Sequence, residues 1–450
     1  MGEIRLLAPT AILGYGFPLE NFKKAMDLKP HLIGIDAGSI DPGPYYLGKG
    51  KSFTDRTAVK RDLEIILEAA VNEDIPVLIG TAGGSGAKEH VDWNEEIIKE
   101  IAQENDLSFK MARIDADFSK DFVMTKQNAN EITPLTGVPS LTREDIEDTN
   151  RIVGQMGIEP FQKALEEGAQ VILAGRAYDP VCFAAKPISE GFDPGLSLHL
   201  GKILECAAIA AKPGSGRDCM FGILKDDHFT LFPLGTERSC TPDSVAAHSL
   251  YEKSDPFHLH GPGGELDLTE TKYEQVDEKT VKVSGTKFVE KPYAIKLEGA
   301  KLVGYRSISI AGTRDPVMIE NIEDIIQKVK DSVNDNFGET DGTLNFRLYG
   351  LNGVMGALEP SPNKGHELGI IIEAVSKTQE LANTILSFAR STMLHIGYEG
   401  RLSTAGNLAF PYSPSDIEAG EVYEFSIHHL IENIDPVSIF PIKIEDIGGK

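Results

Sequence analysis

The sequence has few cysteines and no apolar run long enough to cross a bilayer. Its 450 residues include 4 cysteines, with no C-x-x-C pair and no dense spacing. This usage predicts reduced thiols in a cytosolic protein rather than a disulfide framework. The first residues, MGEIRLLAPT, show no basic region and no long apolar core, so no secretory signal is expected. Without a run of roughly 18 to 20 apolar residues, no membrane partner is expected and the predicted location is the cytoplasm.

Positive charge is also scarce. The chain has 69 acidic and 44 basic side chains, for a net charge of −25. A field of this sign repels phosphate backbones, and no basic stripe interrupts it, so no nucleic-acid partner is expected. An anionic substrate would need a local cluster of arginine, lysine, backbone N–H groups or metal.

Short apolar runs alternate with amphipathic segments in the first half of the chain. Runs without polar alternation, separated by helices, are typical of a parallel sheet that is covered on both faces. The predicted strands lie at residues 4–8, 31–38, 76–84, 109–117 and 169–175. The sequence therefore predicts an α/β domain over residues 1–215, with a doubly wound, mostly parallel sheet and a ligand cleft at the strand ends.

The second half of the chain shows a different pattern of apolar and polar residues. Alternating strands and two strand–helix–strand units predict an α+β domain with ferredoxin-like βαβ elements over residues 216–450. The segment KPGSGRD (212–218) suits a domain boundary. RLYGLNGVMGALEP (347–360) and STAGNLAFPYSPSD (403–416) are longer than hairpin loops require. These segments would either close over the first domain's site or act as rigid connectors.

The loops at the predicted strand ends carry the candidate site. IDAGSIDPGPYYLG (35–48), GTAGGSGA (80–87) and GRAYDP (175–180) each follow a strand, and ligands of parallel sheets bind where such loops converge. Asp36 and Asp41 are candidates to orient a substrate or to abstract a proton. The residues expected to bind substrate are Ser39, Gly83, Gly84, Ser85, Gly86, Arg176 and Asp179.

Each of these loops also has a purely structural interpretation. Asp36 and Asp41 would satisfy loop N–H groups as Asx turns, and the glycine loop would be a tight turn before a helix. Arg176 would either hold a substrate carboxylate or phosphate bidentately or pair internally with Asp179. The presence of several Gly-rich or acidic loops at one sheet edge favours the functional interpretation.

A titratable stripe is predicted on the helix SLHLGKILECAAIAA (197–211). At 100° per residue, His199, Lys202 and Cys206 fall within about 60° of one another, with Glu205 on the flank. His199 or Lys202 would serve as the acid or base of a catalytic pair. The alternative is a core histidine with satisfied hydrogen bonds and a surface Lys–Glu pair.

A divalent metal is a further open alternative. Its candidate ligands follow a predicted helix start at TPD, but no strong metal motif contains them. The four candidates are His248, Glu252, His258 and His260. Capping and packing roles are the alternative for the same residues.

A dinucleotide cofactor is not expected. Gly14 and Gly16 begin a pattern whose third glycine is replaced by Leu19, so the G-x-G-x-x-G fingerprint is broken. Hydrolase chemistry stays open, because Ser39, Ser85 and Cys206 are potential nucleophiles, although none lies in a G-x-S-x-G elbow.

Many of these segments occur together in one known family. The joint presence of IGIDAGSIDPGPYYLG, GTAGGSGA, GRAYDP, HLGKILECAAIAAKPGSGRD, CTPDSVAAHSLYEK, GPGGELDL, KLEGAKLVGYRSISIAGTRDP, YGLNGVMGALEP and AGNLAFPYSPSD resembles the acyclic terpene utilisation AtuA family. The likeness spans essentially the whole chain. It implies a soluble bacterial protein of a gene cluster that degrades branched acyclic terpenoids or small organic acids. It implies no particular catalytic residue.

The function expected is that of a catabolic enzyme. It would act on a small branched carboxylate or its acyl-CoA ester, as a lyase that adds or removes water by proton transfer next to a carbonyl. The alternative is a non-catalytic small-molecule-binding subunit of a catabolic complex, and a dinucleotide-dependent oxidoreductase ranks last. A homo-oligomer is also expected.

Overall fold

The computed structural model of the chain describes residues 2–251, 255–338, 342–361 and 363–448. It is a mixed α/β protein with several sheets. The strands are β1 (Ile4–Ala8), β2 (Leu32–Asp36), β3 (Val77–Gly80), β4 (Phe109–Ile114), β5 (Ile132–Pro134), β6 (Arg151–Gly154), β7 (Val171–Ala174), β8 (Met220–Leu224), β9 (His228–Pro233), β10 (His258–Gly261), β11 (Gly264–Asp267), β12 (Lys272–Gln275), β13 (Val281–Ser284), β14 (Lys287–Glu290), β15 (Ala294–Thr313), β16 (Thr343–Tyr349), β17 (Leu368–Ser376), β18 (Asp416–Glu432) and β19 (Ile442–Ile447). The helices are α1 (Leu19–Asp27), α2 (Pro44–Lys49), α3 (Arg56–Asn72), α4 (Lys88–Glu104), α5 (Lys120–Asn128), α6 (Arg143–Asp148), α7 (Glu159–Glu166), α8 (Val181–Ser189), α9 (Pro194–Leu204), α10 (Pro242–Ser249), α11 (Pro316–Glu320), α12 (Ile322–Phe337) and α13 (Gln379–His395).

The largest sheet contains the five predicted strands of the first half. Its order is β12-β13-β9-β8-β1-β2-β3-β7-β4-β19. Five consecutive strands of this order are parallel to one another, namely β1, β2, β3, β7 and β4. Antiparallel strands extend it on both sides, β8 beside β1 and β19 beside β4. Parallel strands place their carboxyl ends at one edge, which brings the loops after β2, β3 and β7 together.

Apolar side chains cover both faces of this sheet. Adjacent strand residues such as Leu6 and Leu7 belong to two different buried clusters, because successive side chains point to opposite faces. Helices α3 and α4 contribute to one cluster, and α8 and α9 contribute to the other. Asp55 caps the N-terminus of α3, since its carboxylate accepts hydrogen bonds from the N–H groups of Thr57 and Ala58.

The chain divides into two compact units. One contains residues 1–301 and 425–450, and the other contains residues 302–424. The boundary expected near residues 215 and 216 lies inside the first unit, because the chain continues the same sheet there. β8 pairs with β1 from Ile4 opposite Leu224 to Ala8 opposite Met220.

The unit of residues 302–424 packs α12 and α13 on antiparallel strands. β17 pairs with both β15 and β16. Apolar residues at helical spacing form its core with the strand side chains: Ile322, Ile325, Val329, Ile385, Leu386, Ala389, Ile370 and Ile372. Within the described ranges of the chain, no helix is long and apolar enough to cross a bilayer.

Candidate functional site

A cavity of about 450 Å³ lies in the unit of residues 1–301 and 425–450. Its charged and titratable lining side chains are Asp41, Arg176, Asp179, Lys202, His260, Lys291 and Lys296. The rest of its wall is largely apolar, with Leu135, Tyr178, Pro262, Pro292, Ala294 and Leu430. The cavity therefore combines several cationic donors with an apolar surface, in a chain that is strongly acidic overall.

Arg176 lies two residues after β7 and is held by a buried glutamate. Its Nε lies 2.7 Å from Oε2 of Glu298, and its Nη2 lies 3.4 Å from Oε1. Nη1 donates to the carbonyl of Ala177 at 2.9 Å. Burial alone would raise the pKa of Glu298, but Arg176 and Lys296 hold it below its ordinary value. Arg176 is thus fixed in position as a permanent cation of the cavity wall.

Glu298 was not predicted from the sequence. It lies on β15 and reaches the site because β15 pairs antiparallel with β6, with Glu298 opposite Val153. Its carboxylate also lies 3.0 Å from Nζ of Lys296. Its place in a segment of alternating polar and apolar residues is visible in the sequence, but its burial and the pairing that brings it to Arg176 are not.

Lys202 contributes a buried ammonium group from α9. Its Nζ lies 2.5 Å from Oε1 of Glu205 and 3.8 Å from Oδ2 of Asp179. Burial alone would lower the pKa of Lys202, but the carboxylates of Glu205 and Asp179 raise it above its ordinary value. The side chain therefore stays protonated. Burial raises the pKa of Glu205 to about 7, against the opposing attraction of Lys202.

Asp179 links these two cations. Its Oδ1 lies 3.5 Å from Nη1 of Arg176, and its Oδ2 faces Lys202. The internal pair of Arg176 and Asp179 exists, but Glu298 is the closer partner of Arg176. A continuous series of ion pairs therefore runs from Lys296 through the cavity wall to Glu205.

Asp36 lies at the end of β2, behind the cavity rather than in its lining. Its Oδ1 accepts a hydrogen bond from the N–H of Gly38 at 3.2 Å. Burial raises the pKa of Asp36 well above its ordinary value, and the charges of Asp179 and Glu205 add to this effect. Asp36 is thus a buried carboxyl group behind the cavity, not a base exposed to a substrate.

Asp41 does line the cavity, and its neighbour Ser39 supports it. Ser39 Oγ donates to Oδ2 of Asp41 at 2.9 Å, and the N–H of Asp41 donates back to Ser39 Oγ at 3.3 Å. The Asp41 carboxylate thus accepts from a hydroxyl group. The Asx-turn interpretation fits Asp36, which accepts from the N–H of Gly38, and does not fit Asp41. Asp41 keeps a place in the wall in addition to this structural role.

The predicted glycine loop is a packing element that does not line the cavity. Gly83, Gly84 and Gly86 have positive φ angles of 61°, 108° and 69°. A Cβ at Gly86 would overlap the backbone N of Arg176, and that N–H donates to the carbonyl of Gly86 at 3.1 Å. Ser85 is buried as well. Gly86 therefore packs against Arg176, and the structure brings none of these four residues to the cavity wall.

His199 is a core residue, contrary to its predicted place beside Lys202. Its ring nitrogens lie 2.7 Å from Oγ1 of Thr286 and 2.8 Å from Oγ of Ser249. Its ring meets Phe229 edge-on with centroids 5.4 Å apart. Burial lowers the pKa of His199 to about 3, so the ring is neutral at physiological pH. The titratable residues predicted to form one stripe therefore face different surroundings, and of them only Lys202 lines the cavity.

The three metal candidates among the described residues do not form a metal-binding group. His248 is buried on α10, whereas His258 pairs with Asp255 at 3.4 Å and His260 with Glu265 at 3.1 Å. Glu252 lies outside the described residues. Within those residues, no three or more His, Cys, Asp or Glu side chains are grouped so that they could hold a metal ion.

The cysteines are free, as predicted. Cys206 is the one nearest the ion pairs, with its Sγ 3.4 Å from Oε2 of Glu205. Burial raises the pKa of the Cys206 thiol, and the charge of Glu205 raises it further. Because the thiolate is the nucleophilic form, Cys206 is poorly suited to nucleophilic catalysis.

The fold and the cavity define a mixed α/β protein with a cation-lined pocket. The model of the acyclic terpene utilisation family protein AtuA matches residues 49–213 and 230–412. Because these residues make up most of the chain, the protein belongs to that family, and the resemblance seen in the sequence is confirmed. No protein of curated function and no solved structure matches the chain.

Proposed function

We propose that the protein is a catabolic enzyme that adds water to, or removes it from, a small branched carboxylate or its acyl-CoA ester. Family membership supports a role in acyclic terpene utilisation. The observation that carries the proposal is the placement of Asp179 between two buried cations. Its carboxylate lies 3.5 Å from Arg176 and 3.8 Å from Lys202, and all three side chains line one cavity.

The cavity lining suits an organic anion. Arg176, Lys202, Lys291 and Lys296 present N–H donors to it, whereas their glutamate partners do not belong to the lining. A guanidinium binds a carboxylate bidentately, and an ammonium binds it as a point charge. The volume is within the ordinary range of about 300 to 1,000 Å³ for small-molecule sites. The apolar wall would take the branched chain.

The roles of the side chains follow from their charges. Asp179 would take the proton from the carbon next to the carbonyl, and the ammonium of Lys202 would stabilise the negative charge that develops on the carbonyl oxygen. In the dehydration direction, the protonated Asp179 would return this proton to the β-hydroxyl, which leaves as water, while a carbon–carbon double bond forms and Asp179 becomes a carboxylate again. Glu205, with a pKa of about 7, would gain or lose its own proton near neutral pH, while Lys202 stays protonated and donates a hydrogen bond to it.

The alternative function is a non-catalytic binding subunit of a catabolic complex. A cavity with fixed cations serves binding as well as catalysis, so turnover decides between the two. A dinucleotide-dependent oxidoreductase has less support, because Asp62 accepts hydrogen bonds from the N–H groups of both Gly14 and Gly16 at 2.9 Å. A carboxylate of the protein itself thus occupies the place that a phosphate would take in a glycine-rich loop.

The finer fold assignment is also part of this proposal. Helices on both faces of the parallel strands support a doubly wound arrangement. In the other sheet, the order β18-β15-β17-β16, with helices after β15 and after β17, supports a ferredoxin-like layer. In this assignment the reaction takes place at the carboxyl ends of the parallel strands.

Turnover of defined substrates tests the proposal. The purified protein would be incubated with branched 3-hydroxy and 2,3-unsaturated acids and their CoA esters, and mass spectrometry would follow the gain or loss of water. Asp179→Asn is expected to lower turnover about 100-fold or more, as is typical for loss of a general base. Asp227→Asn, which changes an exposed aspartate, is the control and should retain full turnover.

Two results would count against the enzyme. Saturable binding of these compounds with no turnover would favour the binding subunit. Equal turnover in the wild type and Asp179→Asn would exclude Asp179 as the base, and retained folding of that variant would be verified by its thermal unfolding.

A further inference from the structure

A second cavity, of about 340 Å³, lies within the unit of residues 302–424. Its walls are residues 312–315, where β15 ends, and the loop 401–409, with Tyr398 beside it. Most of this loop belongs to the segment STAGNLAFPYSPSD, whose length exceeds what a simple connection requires. The candidate site for the proposed reaction makes no use of it.

Internal hydrogen bonds fix the shape of the loop. Arg401 donates from Nη1 to the carbonyl of His395 at 3.1 Å and from Nη2 to the carbonyl of Ala405 at 3.0 Å. The side chain of Asn407 donates to the carbonyls of Met393 and Ile396, both at 2.9 Å. The cavity is therefore preformed, and a ligand would not have to order the loop.

The charges in the lining favour an anion. Arg314 and Arg401 are its cations, and Asp315 is the acidic residue among the described lining residues. The Asp315 carboxylate is already engaged, since it caps α11 and accepts a hydrogen bond from the Tyr398 hydroxyl at 3.2 Å. Arg314 is exposed, and no carboxylate in the described ranges forms an ion pair with it. Glu367 lines an adjoining cavity with Arg314 without pairing.

Backbone donors lie in the same loop. In the described part of the chain, the N–H groups of residues 402–406 donate to no protein acceptor. Ser403 has a left-handed backbone with φ of 53°, a conformation that non-glycine residues seldom adopt. Left-handed residues within a run of successive N–H groups are typical of backbone nests, which bind anions.

We propose that this cavity is a binding site for an oxyanion, the carboxylate or phosphate group of a small organic anion. Two guanidinium groups, the hydroxyl-bearing residues Ser403 and Thr404 and the loop N–H groups supply the donors that such a group requires. The net charge of −25 disfavours anions over most of the surface, so binding depends on this local set of donors. The site shares no lining residue with the cavity of the proposed reaction, so it does not depend on that proposal.

Calorimetric titration of the full-length protein tests the site. Inorganic phosphate and butyrate would be the probes, each at constant ionic strength, and the tighter one identifies the oxyanion. Arg314→Gln is expected to weaken binding about tenfold, the usual effect of losing a charged hydrogen bond. The difference in affinity between the wild type and this variant reports on this cavity alone, because Arg314 does not line the cavity of the other unit. The exposed Arg217, changed to Gln, is the matched control and should leave binding unchanged.

Three results would overturn the proposal. These are the absence of saturable binding for both probes, equal affinities of wild type and Arg314→Gln, and an equal loss of affinity in Arg217→Gln. The last result would indicate a general effect of net charge. Arg314 is exposed and makes no ion pair with a described residue, so its replacement is expected to leave the thermal unfolding temperature unchanged.

Discussion

The ammonium group of Lys202 lies 2.5 Å from Oε1 of Glu205, and the two side chains are only 1% and 7% exposed. Transfer of each charge from water to the interior costs several kcal/mol, and their attraction offsets this cost only while both are present. The pair is therefore vulnerable to the loss of either partner.

Lys202→Met is expected to lower the free energy of unfolding by about 3 to 5 kcal/mol, because it leaves the Glu205 carboxylate buried without its partner. The double variant Lys202→Met/Glu205→Gln should recover much of this loss. Chemical denaturation measures both. Lys163→Met removes a lysine from an exposed pair with Glu167 and should leave the stability nearly unchanged. Similar losses in the single and double variants would contradict a coupled pair.

His248→Phe should stabilise the protein increasingly as the pH falls. His248 is buried against Tyr251, and neither ring nitrogen has a hydrogen-bond partner among the described residues. Burial lowers its pKa to about 4, and the charge of Lys202 contributes. Between about pH 6.5 and pH 4 the unfolded histidine binds a proton that the folded one does not. Wild-type stability therefore falls over this range by up to about 1.4 kcal/mol per pH unit from this group.

Denaturation at several pH values between about 4 and 8 checks the pH effect, because this range covers the pKa of His248 in the folded and in the unfolded chain. The phenylalanine variant should have a smaller loss of stability on acidification than the wild type. His366→Phe, at an exposed position, is the control and should follow the wild-type profile. Parallel profiles for wild type and His248→Phe would show that His248 is not the group responsible.

Gly86→Ala should be more destabilising than Gly43→Ala. Both glycines have positive φ angles, of 69° and 112°, so both variants incur backbone strain of about 1 to 2 kcal/mol. A Cβ at Gly43 has no neighbour within 4 Å, whereas a Cβ at Gly86 would overlap the backbone of Arg176. Gly86→Ala should also weaken ligand binding at the cavity. Equal unfolding free energies for the two variants would contradict this role of Gly86.

NAD and NADP should leave the unfolding temperature unchanged. A ligand that binds only the native state raises that temperature, so the measurement is sensitive to weak binding. The carboxylate of Asp62 already accepts the hydrogen bonds of Gly14 and Gly16. A rise of several degrees with either dinucleotide would favour the oxidoreductase alternative.

The strands that position the site were predictable because their signal is local. The runs that end near Asp36 and Arg176 are short and continuously apolar, which is typical of strands buried on both faces. The loops that follow these strands were also predictable, because glycine and acidic residues mark them locally in the sequence. The role of each loop residue was less predictable, because Asp41 reaches the cavity wall while Gly83, Gly84 and Ser85 do not.

The domain boundary shows where local signals are insufficient. KPGSGRD has the composition of a linker, yet the strand that follows it pairs with β1 in the same sheet. Strand pairing depends on contacts between residues that are distant in sequence. Composition alone does not contain that information.

The sequence by itself determined the family, the parallel strands and the residues at their carboxyl ends, because these follow from local pattern and from shared motifs. Only the tertiary structure decided which of those residues form the site. His199 and Lys202 lie on one helix, but the first meets Thr286 and Ser249 while the second meets Glu205 and Asp179. Glu298 reaches Arg176 across 122 residues of sequence. The surroundings of a side chain are set by the elements packed against it, and helical periodicity fixes only the direction in which it points.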